Sequence, residues 1–172
     1  MKIEGSHTIK SPRDLLYQLM TDPEILRRCV SGCQSLEDAG DGYYKGTLKA
    51  GVGSIKGVFT GSIKLEEMRE PEHYKMIVDA KGPAGFLKGE GSIDLIEQDQ
   101  ETLVNYTGET GVGGTIAGVG QRMVQSTAKF MAGQFFTAVE AEAVALVKAE
   151  ESGEYTPPKH GFIRNTIRQI RK

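Results

Sequence analysis

The sequence has 172 residues, of which 38% are apolar and 26% are charged, a balance typical of one folded domain rather than a disordered chain. No run approaches the ~20 apolar residues of a membrane-spanning helix, and no apolar leader follows Met1, so we expect a soluble cytoplasmic protein. The charge is uneven, because residues 1–154 carry all 23 acidic residues and a net charge of −7, whereas residues 155–172 carry +5.

The N-terminal segment predicts one strand followed by two short helices. Alternation places Ile3, Gly5, His7 and Ile9 on one side of the segment, which is the period-two pattern of a half-buried strand. Ser11-Pro12 and Asp22-Pro23 each put a capping residue before a proline, and that pair is typical of a helix start.

The rest of the chain predicts a sheet and one long helix. From Cys33 onward, alternating segments are separated by turn-forming residues at 39–42, 51–54, 70–73, 82–85 and 98–101, which indicates six antiparallel strands with one buried face. Beyond Gly114 the apolar spacing becomes helical over about 35 residues. The stripe comprises Ile116, Val119, Met123, Phe130, Met131, Phe135, Val139 and Leu146.

The predicted fold class is α+β. A curved seven-stranded antiparallel sheet wraps around a long C-terminal helix, because that helix alone is long enough to cover the apolar face of the sheet. We expect this domain to span residues 1–151, followed by a linker at 152–160 and a tail at 161–172.

Glycine accounts for 22 of the 172 residues, well above the usual ~7%. By parity, seven glycines point inward: Gly5, Gly46, Gly57, Gly61, Gly89, Gly91 and Gly108. One interpretation is that they let a twisted sheet bend; the other is that they leave an apolar cavity for an elongated lipophilic molecule. The predicted ligand-binding residues are Tyr44, Leu48, Phe59, Gly61, Ile63, Tyr74, Met76, Val78, Leu87, Gly89, Gly91, Ile93, Tyr106, Met123, Phe130 and Met131.

The sequence contains no recognisable catalytic pattern. His7, His73 and His160 fall in a strand, a turn and the linker, and none stands beside a nucleophile motif. Cys29 and Cys33 are too few for a disulfide framework or a zinc site, and the glycine-rich segment 111–120 lacks the lysine and hydroxyl of a phosphate loop. We therefore predict no catalytic residue, no metal, no cofactor and no nucleic-acid partner.

Several segments carry a family resemblance that covers nearly all of residues 1–150. They are Cys29-Val-Ser-Gly-Cys33 with Ser35-Leu36-Glu37, Gly51-Val-Gly-Ser-Ile-Lys-Gly57, the stretch 82–91, and Gly113-Gly-Thr-Ile-Ala-Gly-Val-Gly-Gln-Arg122 leading to Gln134-Phe135-Phe136. With them the chain resembles the CoxG-like family of carbon monoxide dehydrogenase subunits, within the START/SRPBCC helix-grip superfamily. The resemblance implies a hydrophobic-ligand cavity and an association with a molybdenum hydroxylase at the membrane; it carries no catalytic residue over.

The last twelve residues predict an amphipathic tail. Apolar and basic residues alternate there with helical spacing, which suits an anionic membrane surface; docking of the tail on a protein partner or on its own acidic body is the alternative. The predicted tail residues are Phe162, Ile163, Arg164, Ile167, Arg168, Ile170, Arg171 and Lys172.

These features together favour a non-enzymatic carrier. We expect it to hold a quinone- or lipid-like molecule and to associate peripherally, through its tail, with the inner face of the cell membrane. One alternative is a maturation or membrane-recruitment factor for a carbon monoxide dehydrogenase-type molybdenum hydroxylase. A second is an enzyme similar to a cyclase or hydrolase, which inward-facing ionisable pairs would favour.

Overall fold

The computed structural model describes residues 1–52 and 55–158. Its elements follow the predicted order of one strand, two short helices, six strands and a long helix. Their bounds are β1 (Lys2–Ile9), α1 (Arg13–Met20), α2 (Pro23–Cys29), β2 (Cys33–Gly40), β3 (Tyr43–Val52), β4 (Ile55–Arg69), β5 (His73–Gly82), β6 (Gly85–Gln98), β7 (Glu101–Gly113), a 3₁₀ segment (Gly114–Val119) and α3 (Gln121–Ser152).

The strands of the described residues form one seven-stranded antiparallel sheet in the order β1-β7-β6-β5-β4-β3-β2. Consecutive strands from β2 to β7 pair as hairpins, and β1 returns to pair with β7. The prediction of an α+β helix-grip architecture is confirmed. The backbone of α3 packs most closely against β1, α1, α2 and the 3₁₀ segment, so the middle strands are left facing the interior.

The two short helices begin differently. Asp22 caps α2 as predicted, because its carboxylate accepts the Glu24 N–H at 2.8 Å. The prediction that Ser11 caps α1 is wrong by one residue. Pro12 has an extended ψ of 145° and is itself the capping residue, and the Ser11 hydroxyl donates to the Pro12 carbonyl at 2.9 Å.

The predicted stripe on α3 is partly wrong. Met123 and Phe130 are 41% and 53% exposed, whereas Val139 is completely buried. Phe130 precedes Val139 by nine residues, about two and a half turns at 3.6 residues per turn, so the two side chains point to opposite sides. The residues that α3 actually buries are Val124, Thr127, Phe136, Ala138, Val139, Glu142 and Ala143.

By length and mean hydropathy α3 could cross a membrane, contrary to the prediction that no segment is apolar enough. Its position explains the apolar composition, because Val139 and Ala143 are completely buried in the domain core. We therefore describe α3 as the core helix of the domain.

The core consists of two separate clusters. The main cluster joins α1, α2 and the C-terminal part of α3 to the strands beneath them, with Leu16 and Val104 at its centre. The small cluster lies at the 3₁₀ segment and is formed by Phe59, Ile116 and Val124. A backbone hydrogen bond from the Ile116 N–H to the Ala84 carbonyl, at 2.9 Å, holds the 3₁₀ segment against the β5–β6 turn.

Candidate functional site

The interior between the two clusters is lined by apolar side chains that belong to neither of them. Leu48, Val78 and Leu87 lie on the inner face of the sheet, and Met131 lies on α3. All four side chains are only half-buried. Apolar residues on the inside of a domain keep this much exposure only where the space beside them is unfilled. We call these four residues, together with Gly89 and Gly91, the inner-face site.

Gly89 and Gly91 form the unfilled part of this site. A Cβ atom built on either glycine would come no closer than 3.2 Å to another atom, and its three nearest neighbours all belong to β7. The closest of these on Gly91 are the Thr107 carbonyl oxygen and Gly108 Cα. The helix therefore leaves open space above both glycines, as the cavity interpretation requires.

Other inward glycines serve the sheet instead. A Cβ on Gly61 would lie 2.1 Å from the Asp79 carbonyl oxygen, and one on Gly46 would lie 2.2 Å from the Ser35 carbonyl oxygen. Neighbouring backbone therefore occupies the place of these side chains, and the sheet can coil this tightly only at glycine. At these two positions the structural interpretation holds, so Gly61 creates close strand packing rather than ligand space.

An aromatic group closes one side of the interior. The Tyr106 ring covers Gly5, where an added Cβ would be 2.5 Å from the tyrosine oxygen. His7 lies between rings, with centroids 6.1 Å from Tyr106 and 4.6 Å from Phe136. Phe136 was absent from the predicted site, although it ends a motif that carried the family resemblance. Its position on α3, three residues before Val139, was the pattern that could have identified it.

Two tyrosine hydroxyls supply polar groups on the inner face. Burial raises the pKa of Tyr106, and burial together with the carboxylates of Asp38 and Asp22 raises the pKa of Tyr44. Both phenols are therefore neutral at physiological pH and able to donate a hydrogen bond. Within residues 1–52 and 55–158 neither hydroxyl forms one, so both are available to a ligand carbonyl or hydroxyl.

The remaining predicted lining residues fall into three groups. Phe59, Tyr74 and Ile93 are buried within the clusters, and Tyr74 packs edge-on against Tyr17 with ring centroids 5.7 Å apart. Ile63 and Met76 are half-buried and pack against the main cluster. Met123 and Phe130 lie on the solvent side of α3, which corrects their assignment to the site. The predicted tail residues, 161–172, lie outside the described part of the chain.

A histidine–carboxylate pair lies away from this interior. His73 Nδ1 is 2.8 Å from Asp94 Oδ1, and its Nε2 is 3.7 Å from Glu67 Oε2. Sequence parity did not reveal this pair, because the partners belong to different strands and meet only through the β5–β6 register. Among the described residues no group of three or more His, Cys, Asp or Glu side chains is placed to hold a metal ion.

A shallow pocket of about 340 Å³ opens on the outer face of the sheet, on the side opposite the inner-face site. Its lining is mostly polar. The residues are Glu4, Gly5, Ser6, Asp94, Asn105, Tyr106 and Thr107.

A buried ion pair fastens α2 to α3. The Arg28 guanidinium pairs with Glu142, whose side chain is completely buried. Tyr155, just beyond α3, adds contacts of 3.4 Å to both residues. The pair holds the end of the folded domain in place, and nothing in the sequence pattern distinguished Glu142 from a surface acid.

The two cysteines are placed as inert thiols. Burial raises the pKa of Cys29 to about 12 and also raises the pKa of Cys33. Because the thiolate is the reactive form, we expect neither residue of the native protein to react quickly with a chromogenic disulfide reagent at about pH 8. Both should react after unfolding in guanidinium. Rapid stoichiometric labelling of the native protein would contradict this prediction.

Comparison with known proteins identifies the family. The model of the CoxG family of carbon monoxide dehydrogenase subunits matches residues 5–144. A conserved protein of known structure from Geobacillus kaustophilus is 35% identical, with a TM-score of 0.82, and the match covers 87% of this chain and 97% of that one. No curated protein matches the sequence.

More distant structures share the fold. A START superfamily protein from Mycobacterium smegmatis has 10% identity and a TM-score of 0.67, with 84% of this chain and 98% of that chain covered. The ZhuI aromatase/cyclase from Streptomyces sp. R1128 has 16% identity and a TM-score of 0.65, with 87% and 97% covered. At these identities the likeness is one of architecture, that of the START-like helix-grip proteins. The family match over most of the domain is more specific, and the chain belongs to the CoxG family of carbon monoxide dehydrogenase subunits.

Proposed function

We propose that this protein is a non-enzymatic carrier that binds a lipophilic, quinone- or lipid-like molecule at the inner-face site. We further propose that it works at the inner face of the cell membrane, to which its tail attaches it peripherally. The open space above Gly89 and Gly91 carries the first part of this proposal. It is bordered by apolar side chains and lies between two filled clusters, as a binding site for an apolar molecule requires.

The polar groups near the site favour binding over chemistry. Tyr44 and Tyr106 can donate hydrogen bonds to a quinone or ester carbonyl, but a phenol with a raised pKa does not act as a base at neutral pH. His7 is stacked against Phe136 and Tyr106. The cyclase among the distant structures shares the architecture, and its activity does not extend to this chain.

A second candidate function follows from the family. Because the family is described as a component of carbon monoxide dehydrogenase, the chain can instead act as a maturation or membrane-recruitment factor for a molybdenum hydroxylase. In that case the protein would bind the enzyme, and the interior would not need an occupant. Co-purification with the hydroxylase from native cells distinguishes this function when the purified protein carries no lipophile.

Mass spectrometry of an organic extract tests the carrier function directly. We expect the full-length protein, purified without detergent, to release one class of lipophile in near-stoichiometric amount. Displacement of N-phenyl-1-naphthylamine by decylubiquinone or by oleic acid then separates a quinone preference from a fatty-acyl one. An empty extract together with no binding of the naphthylamine probe would reject the carrier function.

The tail is tested by truncation after Tyr155. Residues 155–172 carry +5 and an isoleucine-rich stripe, so both electrostatic attraction and apolar insertion favour an anionic bilayer. We expect truncation to reduce co-sedimentation with phosphatidylglycerol vesicles strongly, and Ile167→Asp to weaken it with every basic residue still present. Salt should weaken binding as well, because charges are screened over ~10 Å at 0.1 M. Equal sedimentation of the truncated and full-length proteins would show that the tail is not an anchor.

A further inference from the structure

The antiparallel meander sorts charge to the two ends of the domain. Its alternate turns fall at opposite ends, and the turns β2–β3, β4–β5 and β6–β7 share one end with acidic residues on every hairpin. This acidic pole comprises Asp38, Asp41, Glu66, Glu67, Glu70, Glu72, Glu97, Asp99 and Glu101. The turns β3–β4 and β5–β6, the 3₁₀ segment and the start of α3 share the other end. This basic pole comprises Lys49, Lys56, Lys81, Lys88, Arg122 and Lys129.

The charge of the basic pole is not neutralised within the domain. All six side chains are exposed, and none forms an ion pair with another residue of the described chain. Residues 110–139 contain Arg122 and Lys129 but no acidic residue. Asp79 and Glu109 are the closest acids along the strands, and Glu109 is 3.4 Å from the Met1 ammonium. The net charge of −7 therefore hides an end of the domain that is positive.

The basic pole also exposes apolar side chains. Phe86 lies against Gly113 at the β5–β6 end yet is 46% exposed, and Met123 lies in the first turns of α3. Exposed aromatic and apolar residues among lysines suit the boundary between lipid headgroups and acyl chains. An acidic protein surface would satisfy the lysines alone.

We propose that the basic pole is a second membrane contact, which docks the folded domain end-on against anionic lipid headgroups. This inference rests on the proposed function and adds an orientation to it. The small cluster and the 3₁₀ segment lie at this pole, and the inner-face site lies directly behind them. Docking therefore brings the site, rather than the acidic pole, next to the bilayer from which a lipophile would enter.

Because the sequence contains no tryptophan, a single introduced tryptophan reports the orientation. Phe86→Trp places it at the basic pole, and Met68→Trp places it at the acidic pole in a side chain of similar exposure. With vesicles of phosphatidylglycerol and brominated phosphatidylcholine in equal parts, we expect strong quenching of the first and little of the second. If the protein sediments but both tryptophans respond equally, or Phe86→Trp is not quenched, the inference is overturned and an acidic protein partner becomes the better occupant.

Charge reversal separates this contact from the tail. Each lysine near an anionic surface is worth about fivefold in affinity, so Lys81→Glu with Lys88→Glu should weaken vesicle binding of the full-length chain at least tenfold. The matched control is Lys10→Glu with Lys148→Glu, the same change in net charge at two exposed lysines outside the basic pole.

The two proposals fail in different ways. Loss of binding on tail truncation, with no effect of reversing the pole, would retain the anchor and overturn the second contact. Weakened binding on pole reversal, with no effect of truncation, would retain the second contact and reject the tail as an anchor.

Discussion

Replacing Gly89 with leucine should abolish binding of N-phenyl-1-naphthylamine, or weaken it at least tenfold, while the protein stays folded. The new side chain enters the open space of the inner-face site, between Val78 and Thr110 on the paired strands. The backbone tolerates the change, because an added Cβ comes no closer than 3.2 Å to the Glu109 carbonyl oxygen and the Thr110 hydroxyl. The affinity is measured by fluorescence titration, and folding is checked by thermal denaturation.

Gly111→Leu is the matched control for this experiment. It makes the same substitution on the outer face of β7, where an added Cβ meets nothing closer than 4.0 Å, and it should bind the probe normally. Val78→Phe fills the same interior without altering a glycine and should reproduce the loss. Normal probe binding by folded Gly89→Leu and Val78→Phe proteins would show that the ligand lies elsewhere. Gly61→Leu is unsuitable, since backbone already occupies its side-chain position.

Replacing Arg28 with methionine should destabilise the domain by about 3 kcal/mol, because it removes the cation that faces the completely buried Glu142 carboxylate. At this chain length the change corresponds to a fall in Tm of about 10 °C. The exposed edge of the Arg28 side chain places the estimate at the lower end of the range for buried pairs. Chemical denaturation gives the free energy of unfolding.

Two variants test whether the cost comes from the buried charge. Arg27→Met removes the neighbouring exposed pair with Glu24 and should cost about 1 kcal/mol or less. Arg28→Met combined with Glu142→Leu removes both charges and should recover most of the loss. If the double variant is as unstable as the single one, packing of the arginine stem, rather than the buried carboxylate, accounts for the effect.

Local periodicity predicted the sheet well. Alternation and turn residues located all seven strands, because each strand has one buried and one exposed face, which writes a period of two into the sequence. The helix start at Asp22 followed from its capping chemistry in the same way. Ser11 failed because the conformation of Pro12, rather than the preference for serine, decided where α1 begins.

The interior was less predictable, because it depends on contacts between distant segments. Parity assigned Gly61 and Gly89 to the same face, yet neighbouring backbone fills the position beside one and open space lies above the other. Phe130 matched the apolar composition of α3 but lies on its solvent side. Glu142 was indistinguishable from the exposed acids that follow it, because its burial depends on Arg28, more than a hundred residues away.

The clamp at the end of α3 determines how the two proposed membrane contacts cooperate. Tyr155 is held beside Glu142 and Arg28, so the chain leaves the domain near the acidic end of α3, which at 1.5 Å per residue is almost 50 Å long. The five residues from 156 to 160 span at most about 18 Å. An anchored tail would therefore keep the basic pole at a high effective concentration near the bilayer while letting it detach and return. The domain would exchange its cargo by rocking on this tether, without leaving the membrane between cycles.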